Sequence, residues 1–198
     1  MKEKSTQINK KHNWNLYKAY KKIPKTKGID RHKDFNNIKT LHYDSKNRSE
    51  NVMIVDLLRN DLSRIAKQGS LKVKELFGIR TYKTLHQMVS TIQAKLPLSY
   101  GIIEILQALF PCGSITGAPK YKTTKIINTL ENRKRNVYCG AIGVISAKET
   151  IMSVPIRTLY RQTKEEYYHY GVGSGVVWDS NVYEEFCELQ LKCKFLIE

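Results

Sequence analysis

The sequence predicts an α+β domain, helices packed on antiparallel sheet. Apolar residues recur at helical spacing in three stretches of the first two thirds, and the last third breaks into short strand-like runs. Helices and strands mix without the strict βαβ alternation of a parallel sheet. Residues 1–43 are polar and basic with scattered aromatics, and read as a leader with at most short elements. Order is expected from Asp44–Ser45 onward, so that residues 44–198 form the domain.

In "SKNRSENVMIVDLLRNDLSRIAK", Val52, Val55, Leu58, Leu62 and Ile65 fall on one helical face, with Asp44 or Ser45 as cap. "QGS" turns the chain into "LKVKELFGIRTY", a β-type stretch. "LHQMVSTIQAKL" fits strand or helix equally. "SYGIIEILQALFP" reads as a helix stopped by Pro111, and Pro119 suits the first turn of another through Thr123, Ile126, Ile127 and Leu130. "VYCGAIGVIS", "TIMSVPIRTLY" and "EEYYHYGVGSGVVW" read as an antiparallel meander. The final segment is amphipathic, with Val182, Phe186, Leu189, Cys193 and Leu196 on one stripe.

The net charge is +16 over 198 residues, and residues 1–48, with fourteen Lys or Arg against four Asp or Glu, carry ten of it. That segment has no zinc-finger or RNP-type motif and no alternation of aromatic and basic residues for stacking bases, so nucleic acid is not an expected partner. No apolar run reaches the ~18–20 residues needed to span a bilayer, and the first residues lack a signal-peptide core. Cys112, Cys139, Cys187 and Cys193 form no CxxC pair. These features imply free thiols and a cytoplasmic setting, with no membrane partner.

Glu185 and Glu188 lie one turn apart on the last helix, beside the apolar stripe, with Lys192 at i+4 from Glu188. Alone they fit a solvated acidic edge with one helix salt bridge. Facing Glu50 on the first helix, they would make an all-oxygen nest suited to Mg²⁺. "GVGSGVV" puts Gly171, Gly173 and Gly175 around Ser174, a cradle for a carboxylate or phosphate, or simply a bent strand. Arg157 in "PIRTL" stands in a strand-like context, as a partner for a carboxylate or as a surface residue. "GSITGAPK", residues 113–120, has the small and hydroxylated residues of a loop whose N–H groups face a ligand.

In order, "SENVMIVDLLRNDL", "GSITGAPK", "CGAIGVIS", "PIRTL" and "GVGSGVVWDS…EEFCELQLK" resemble the successive signatures of the chorismate-binding enzymes. The resemblance spans residues 44–198 and, thinly, 23–43. It is closest to the branch that aminates chorismate to 4-amino-4-deoxychorismate for p-aminobenzoate and folate synthesis, with anthranilate-forming enzymes as the alternative. It implies the C-terminal portion of that family's fold. It also implies Mg²⁺ on Glu50 and Glu188 with Glu185 near, and chorismate held by Ser114, Thr116, Gly117, Arg157, Gly173, Ser174, Gly175 and Lys192. Lys27 would be the covalent nucleophile, and a separate glutaminase subunit the source of ammonia.

Three departures accompany the resemblance. The family's upstream half has no counterpart, so the chain also reads as a truncated fragment that needs a complementary half for activity. "IPKTKGIDRH" departs from the branch's "PxKGT": Pro24 is one residue too far from Lys27, and Ile29 replaces Thr. Gln87 stands where many members have His, and glutamine cannot carry a proton. His86, beside it, reads as structural.

Overall fold

A computed structural model describes residues 6–9, 14–26, 30–82, 85–147, 149–178 and 180–194. The elements are β1 (Thr6–Asn9), β2 (Trp14–Thr26), α1 (Arg31–Tyr43), α2 (Ser45–Ser63), β3 (Lys72–Thr81), β4 (Leu85–Lys95), α3 (Ile102–Leu109), α4 (Gly113–Thr116) and α5 (Lys120–Leu130). Then follow β5 (Ile142–Ile145), β6 (Glu149–Ser153), β7 (Leu159–Tyr160), β8 (His169–Tyr170) and α6 (Val182–Cys193). Six strands form one antiparallel sheet in the order β3-β4-β2-β1-β6-β5, and β7 and β8 pair separately. No single helix among the described residues is long and apolar enough to cross a membrane.

The core forms where α2 and α3 meet β4. Val55, Leu58, Leu62 and Ile65 from α2 and its exit pack with Ile92, Leu96, Ile105, Ala108 and Leu109. Each such aliphatic side chain withdrawn from water contributes about 1.5–3 kcal/mol. The helical stripe in the sequence is therefore the core face, except that Val52 lies at its margin and is exposed. α2 starts where Asp44 accepts a 2.7 Å hydrogen bond from the Asn47 N–H, satisfying one of the helix's open donors. "LHQMVSTIQAKL" resolves as strand because β2 and β3 flank it on both sides and it is buried along nearly its whole length.

A buried polar link fixes α2 against this strand. The Ser90 hydroxyl donates to Asn51 Oδ1 at 2.5 Å and accepts from the Phe77 N–H at 3.1 Å, and Asn51 and Ser90 are both sealed from solvent. Phe77 has φ +58°, and the β3–β4 pairing shifts register on either side of Glu75. His86, fully buried, sits between Asp34 of α1, at 2.8 Å from Nε2, and Thr81 Oγ1, at 3.0 Å from Nδ1. These bonds tie α1 to the sheet, which is a structural use of this histidine.

The structure departs from the sequence reading at both ends of the chain. The segment 1–43 carries more than short elements: β2 is thirteen residues long and central in the sheet, and α1 packs on β4. Backbone pairing along β4 stabilises a strand there that no side-chain period announces. The expected meander divides between two sheets, and its last run shrinks to His169–Tyr170, leaving 171–178 irregular. The stripe of α6 does not form a buried face: Val182 and Phe186 are exposed and Leu189 and Cys193 half-buried, while Leu196 lies outside the described residues. Nor does α5 bury any residue. Amphipathic period guarantees a face, but not a partner for it.

Candidate active site

The loop "GSITGAPK" is positioned by α2. Gly113 leaves so little room that a Cβ there would stand 3.0 Å from the Cβ of Leu57, so the one-turn helix α4 lies directly on α2. Gly117, at φ +84°, ends that turn, and Pro119 caps α5. Thr116 is buried and its hydroxyl bonds to the backbone carbonyls of Cys112 and Gly117, at 3.4 and 3.2 Å. It shapes the loop and has little left to offer a ligand. Ser114 is half-buried in the same turn. Across the loop, Lys120 Nζ reaches Asp61 Oδ2 at 2.6 Å, and Asp61 is buried. Burial raises the Asp61 pKa, against the lowering influence of its hydrogen bond and charge interaction with Lys120.

The second half of the site gathers around the glycine loop. Ser174 lowers the Glu185 pKa by hydrogen bonding, Ser180 does so through a 2.8 Å bond to Oε1, and Lys192 and Lys46 add smaller favourable charge interactions. Glu185 Oε2 is sealed from solvent yet accepts no well-aligned hydrogen bond. Glu50, on α2, is half-buried, with its Oε2 also withdrawn from water. Lys192 Nζ pairs with Glu188 at 2.5 Å and donates to the Gly173 carbonyl at 2.9 Å.

Glu185, Glu188, Ser174, Gly173 and Lys192 are thus brought together, but the three-carboxylate nest expected of Glu50, Glu185 and Glu188 is not. Among the described residues no group of three acidic, His or Cys side chains comes within reach of one metal ion. On α6, Glu188 is largely exposed and is engaged by Lys192 instead. Arg157 does not stand in a strand either. It is half-buried in the link between β6 and β7, at φ +51°, a conformation uncommon outside glycine. Gly175 has open space around it. Gln87 is buried within β4. Lys27 lies outside the described residues.

Three contributors escaped the sequence reading. Tyr138 lies flat under the glycine loop, so that a Cβ on Gly171 would meet its ring at 2.4 Å and one on Gly173 its hydroxyl at 2.4 Å. Burial raises the pKa of this phenol, which stays protonated. Tyr170 donates its hydroxyl to the Lys192 carbonyl at 3.2 Å. Asp61 anchors the far loop through Lys120. Tyr138 and Tyr170 stand beside the quoted "CGAIGVIS" and "GVGSGVVWDS" motifs, and Asp61 lies within "SENVMIVDLLRNDL".

A family model described as chorismate binding enzyme matches residues 26–198. The chain belongs to that family. Aminodeoxychorismate synthase component 1 of Salmonella typhimurium is 46% identical over 144 residues, 72% of this chain and 31% of the relative. Its namesake in Escherichia coli is 44% identical over 145 residues, 73% of this chain and 32% of the relative. Anthranilate synthase component I from Streptococcus pneumoniae superposes with a TM-score of 0.72 at 26% identity, covering 92% of this chain and 43% of that one. The chain therefore spans about a third of the length of these curated relatives. As a member of that family it carries helices packed on antiparallel sheet, and the match begins at residue 26, upstream of the expected boundary at Asp44.

Proposed function

We propose that this chain provides the chorismate-binding part of an aminodeoxychorismate synthase component I-type enzyme, which replaces the C4 hydroxyl of chorismate by an amino group. The observation that carries the reading is the glycine loop and α6 acting as one unit: Ser174 and Ser180 hold Glu185 ionised, and Lys192 joins Glu188 to the Gly173 carbonyl. The relatives named above favour this branch.

Chorismate is a dicarboxylate. One carboxylate would meet Lys192, which stands at the Gly173 carbonyl, with the N–H groups of Gly173–Gly175 and the Arg157 guanidinium as the further donors the reading requires. Ser114 and Gly117 would line the opposite wall, held on α2 by the Asp61–Lys120 pair. Mg²⁺ would be held by Glu185 and Glu50, whose inward oxygens suit a hard cation that needs only one or two carboxylates; when bound, it polarises the substrate's oxygens. Glu188 would join it on release from Lys192. The Lys27 amine would add to the ring as the C4 hydroxyl departs. Ammonia would then form the new C–N bond at C4 and return the lysine, so that the net change is ammonia in and water out. A glutaminase subunit would supply the ammonia.

Calorimetric titration of the purified chain with chorismate tests this reading. The expected result is Mg²⁺-dependent heat, abolished by EDTA and by Glu188→Ala. No heat with Mg²⁺ present would end the proposal, and formation of fluorescent anthranilate would move the chain to the sister branch.

A second reading, that activity needs further polypeptide equivalent to the rest of the relatives, draws on the exposed apolar side chains of the C-terminal third. Trp178 is 99% exposed, and Val144, Val176 and Val182 are each at least 69% exposed. Chorismate turnover by the chain alone, with ammonia supplied, would refute it.

A further inference from the structure

We propose that Ser180 is a positioning residue: its hydroxyl holds one oxygen of Glu185 and so aims the other at a divalent cation. The inference rests on the reading above that Glu185 is an ion ligand, and goes beyond it by naming the side chain that sets its geometry.

The placement follows from how α6 begins. Asn181 caps the helix, accepting from the Tyr183 and Glu184 N–H groups at 2.9 and 3.2 Å. Ser180 is then the residue before the cap and Glu185 the fourth of the helix, two positions that lie side by side where a chain enters a helix. Many helices fill that pair of positions with apolar side chains. Here it holds a hydroxyl and a carboxylate, and Ser180 Oγ donates to Glu185 Oε1 at 2.8 Å. The hydroxyl is itself held. It accepts from the Val177 N–H at 3.0 Å, and the Ser180 N–H donates to the Val177 carbonyl at 3.0 Å. The end of the glycine loop, the helix cap and the carboxylate are therefore one connected unit.

The consequence for Glu185 is directional. A glutamate on a helix surface turns about three side-chain bonds, and fixing it costs rotamer entropy that a ligand would otherwise have to offset. Here Oε1 is already fixed, while Oε2 is withdrawn from water and accepts no well-aligned hydrogen bond. Ser174 also bears on this carboxylate and, with Ser180, keeps it ionised. Among the described residues, though, the well-aligned hydrogen bond to it comes from Ser180. A charged oxygen that is fixed and without a partner is what a hard cation takes. The hydroxyl behind it acts on the ion through the carboxylate, as outer partners of metal ligands do.

The test is titration of the full chain with Mn²⁺ alone, a cation that takes the same oxygen ligands, followed by the electron paramagnetic resonance signal of the free ion. Wild type, Glu185→Gln, Ser180→Ala and Ser180→Thr are compared, and amide hydrogen exchange is read by NMR at Val177, Tyr183 and Glu184. Wild type is expected to bind and Glu185→Gln to bind at least about tenfold more weakly. Ser180→Ala should lose about 10–100-fold in affinity, and Ser180→Thr, which keeps the hydroxyl, should recover most of that loss. In Ser180→Ala the Val177 N–H should exchange faster while the Tyr183 and Glu184 N–H groups stay protected, showing that the helix cap is intact. Wild-type affinity in Ser180→Ala overturns the proposal, as does an equal loss in Ser180→Thr. Loss of protection at Tyr183 and Glu184 together with the loss of affinity also overturns it, because the start of α6 and not the hydroxyl would then be responsible. So does the absence of Mn²⁺ binding by wild type, or its persistence in Glu185→Gln. No chorismate is present in any arm. Ser180-dependent Mn²⁺ binding in a chain that gives no heat with chorismate would end the functional reading and leave this inference standing.

Discussion

Replacing Lys120 by Met tests whether the Asp61–Lys120 pair positions the "GSITGAPK" loop. The charges approach to 2.6 Å, with side-chain exposures of 22% for Lys120 and 4% for Asp61. At an effective dielectric near 20 their attraction is about 6 kcal/mol. Desolvating the two ions offsets most of that, so the pair's net contribution is small, but losing one partner strands the other. Lys120→Met leaves the more deeply buried group alone and is expected to cost about 3–5 kcal/mol. Asp61→Leu leaves a lysine that can turn toward water and should cost less. The double variant should recover to within about 1 kcal/mol of wild type. Urea unfolding of the four proteins at pH 7 measures all three differences, with chorismate titration alongside. Losses below about 1 kcal/mol in both single variants would refute the anchoring role, because the carboxylate would then need no partner. The acid limb adds a check of sign. Burial raises the Asp61 pKa above its ordinary 3.8, so the folded state holds this proton more tightly. Its contribution to stability falls as pH rises through the window just above that value, and this slope should vanish in Asp61→Asn.

Glu185 should show the opposite sign: its pKa is lowered from about 4.5, chiefly by Ser174 and Ser180, so its stabilisation is present above that value and lost as pH falls through the lowered one. Acid unfolding of Glu185→Gln should lack this loss, and a curve parallel to wild type would contradict it. Gly171→Ala drives a methyl into the half-buried Tyr138 ring and should cost about 1–3 kcal/mol, while Gly175→Ala, with nothing within 4 Å, should be close to neutral in thermal unfolding. Ser90→Ala removes the donor to Asn51 and the acceptor for the Phe77 N–H, and should cost about 1–3 kcal/mol by urea titration.

Much of this arrangement was legible because it rests on local rules. The stripe Val55, Leu58, Leu62 marks the core face of α2, and Asp44 marks its start, through periodicity and capping alone. The glycine loop and the acidic pair on α6 were visible as patterns, and the structure joins them through Ser174 and Lys192. What stayed hidden depends on distant pairing. Nothing in residues 14–26 announces a central strand, since its partner in β4 lies about seventy residues away. Glu188 and Lys192 showed only the spacing of an ordinary helix pair; that the lysine also reaches the Gly173 carbonyl could not be read from spacing. The Val182–Phe186 stripe misled because period reports amphipathicity and is silent about what, if anything, covers it. Gly171 and Gly173 suggested a cradle, whereas they also make room for the Tyr138 ring.

The register of β1 has a consequence for synthesis. Thr6 pairs with Met152, so the first strand leaves the ribosome long before its outer neighbour exists. At ~5–20 residues per second, that wait is about 7–30 s. During it β1 and β2 can pair with each other, but the sheet around them stays open on one side. β2, whose other edge waits for β4, carries Lys18, Lys21, Lys22 and Lys25, the kind of charge that keeps an unmatched strand from recruiting other nascent chains.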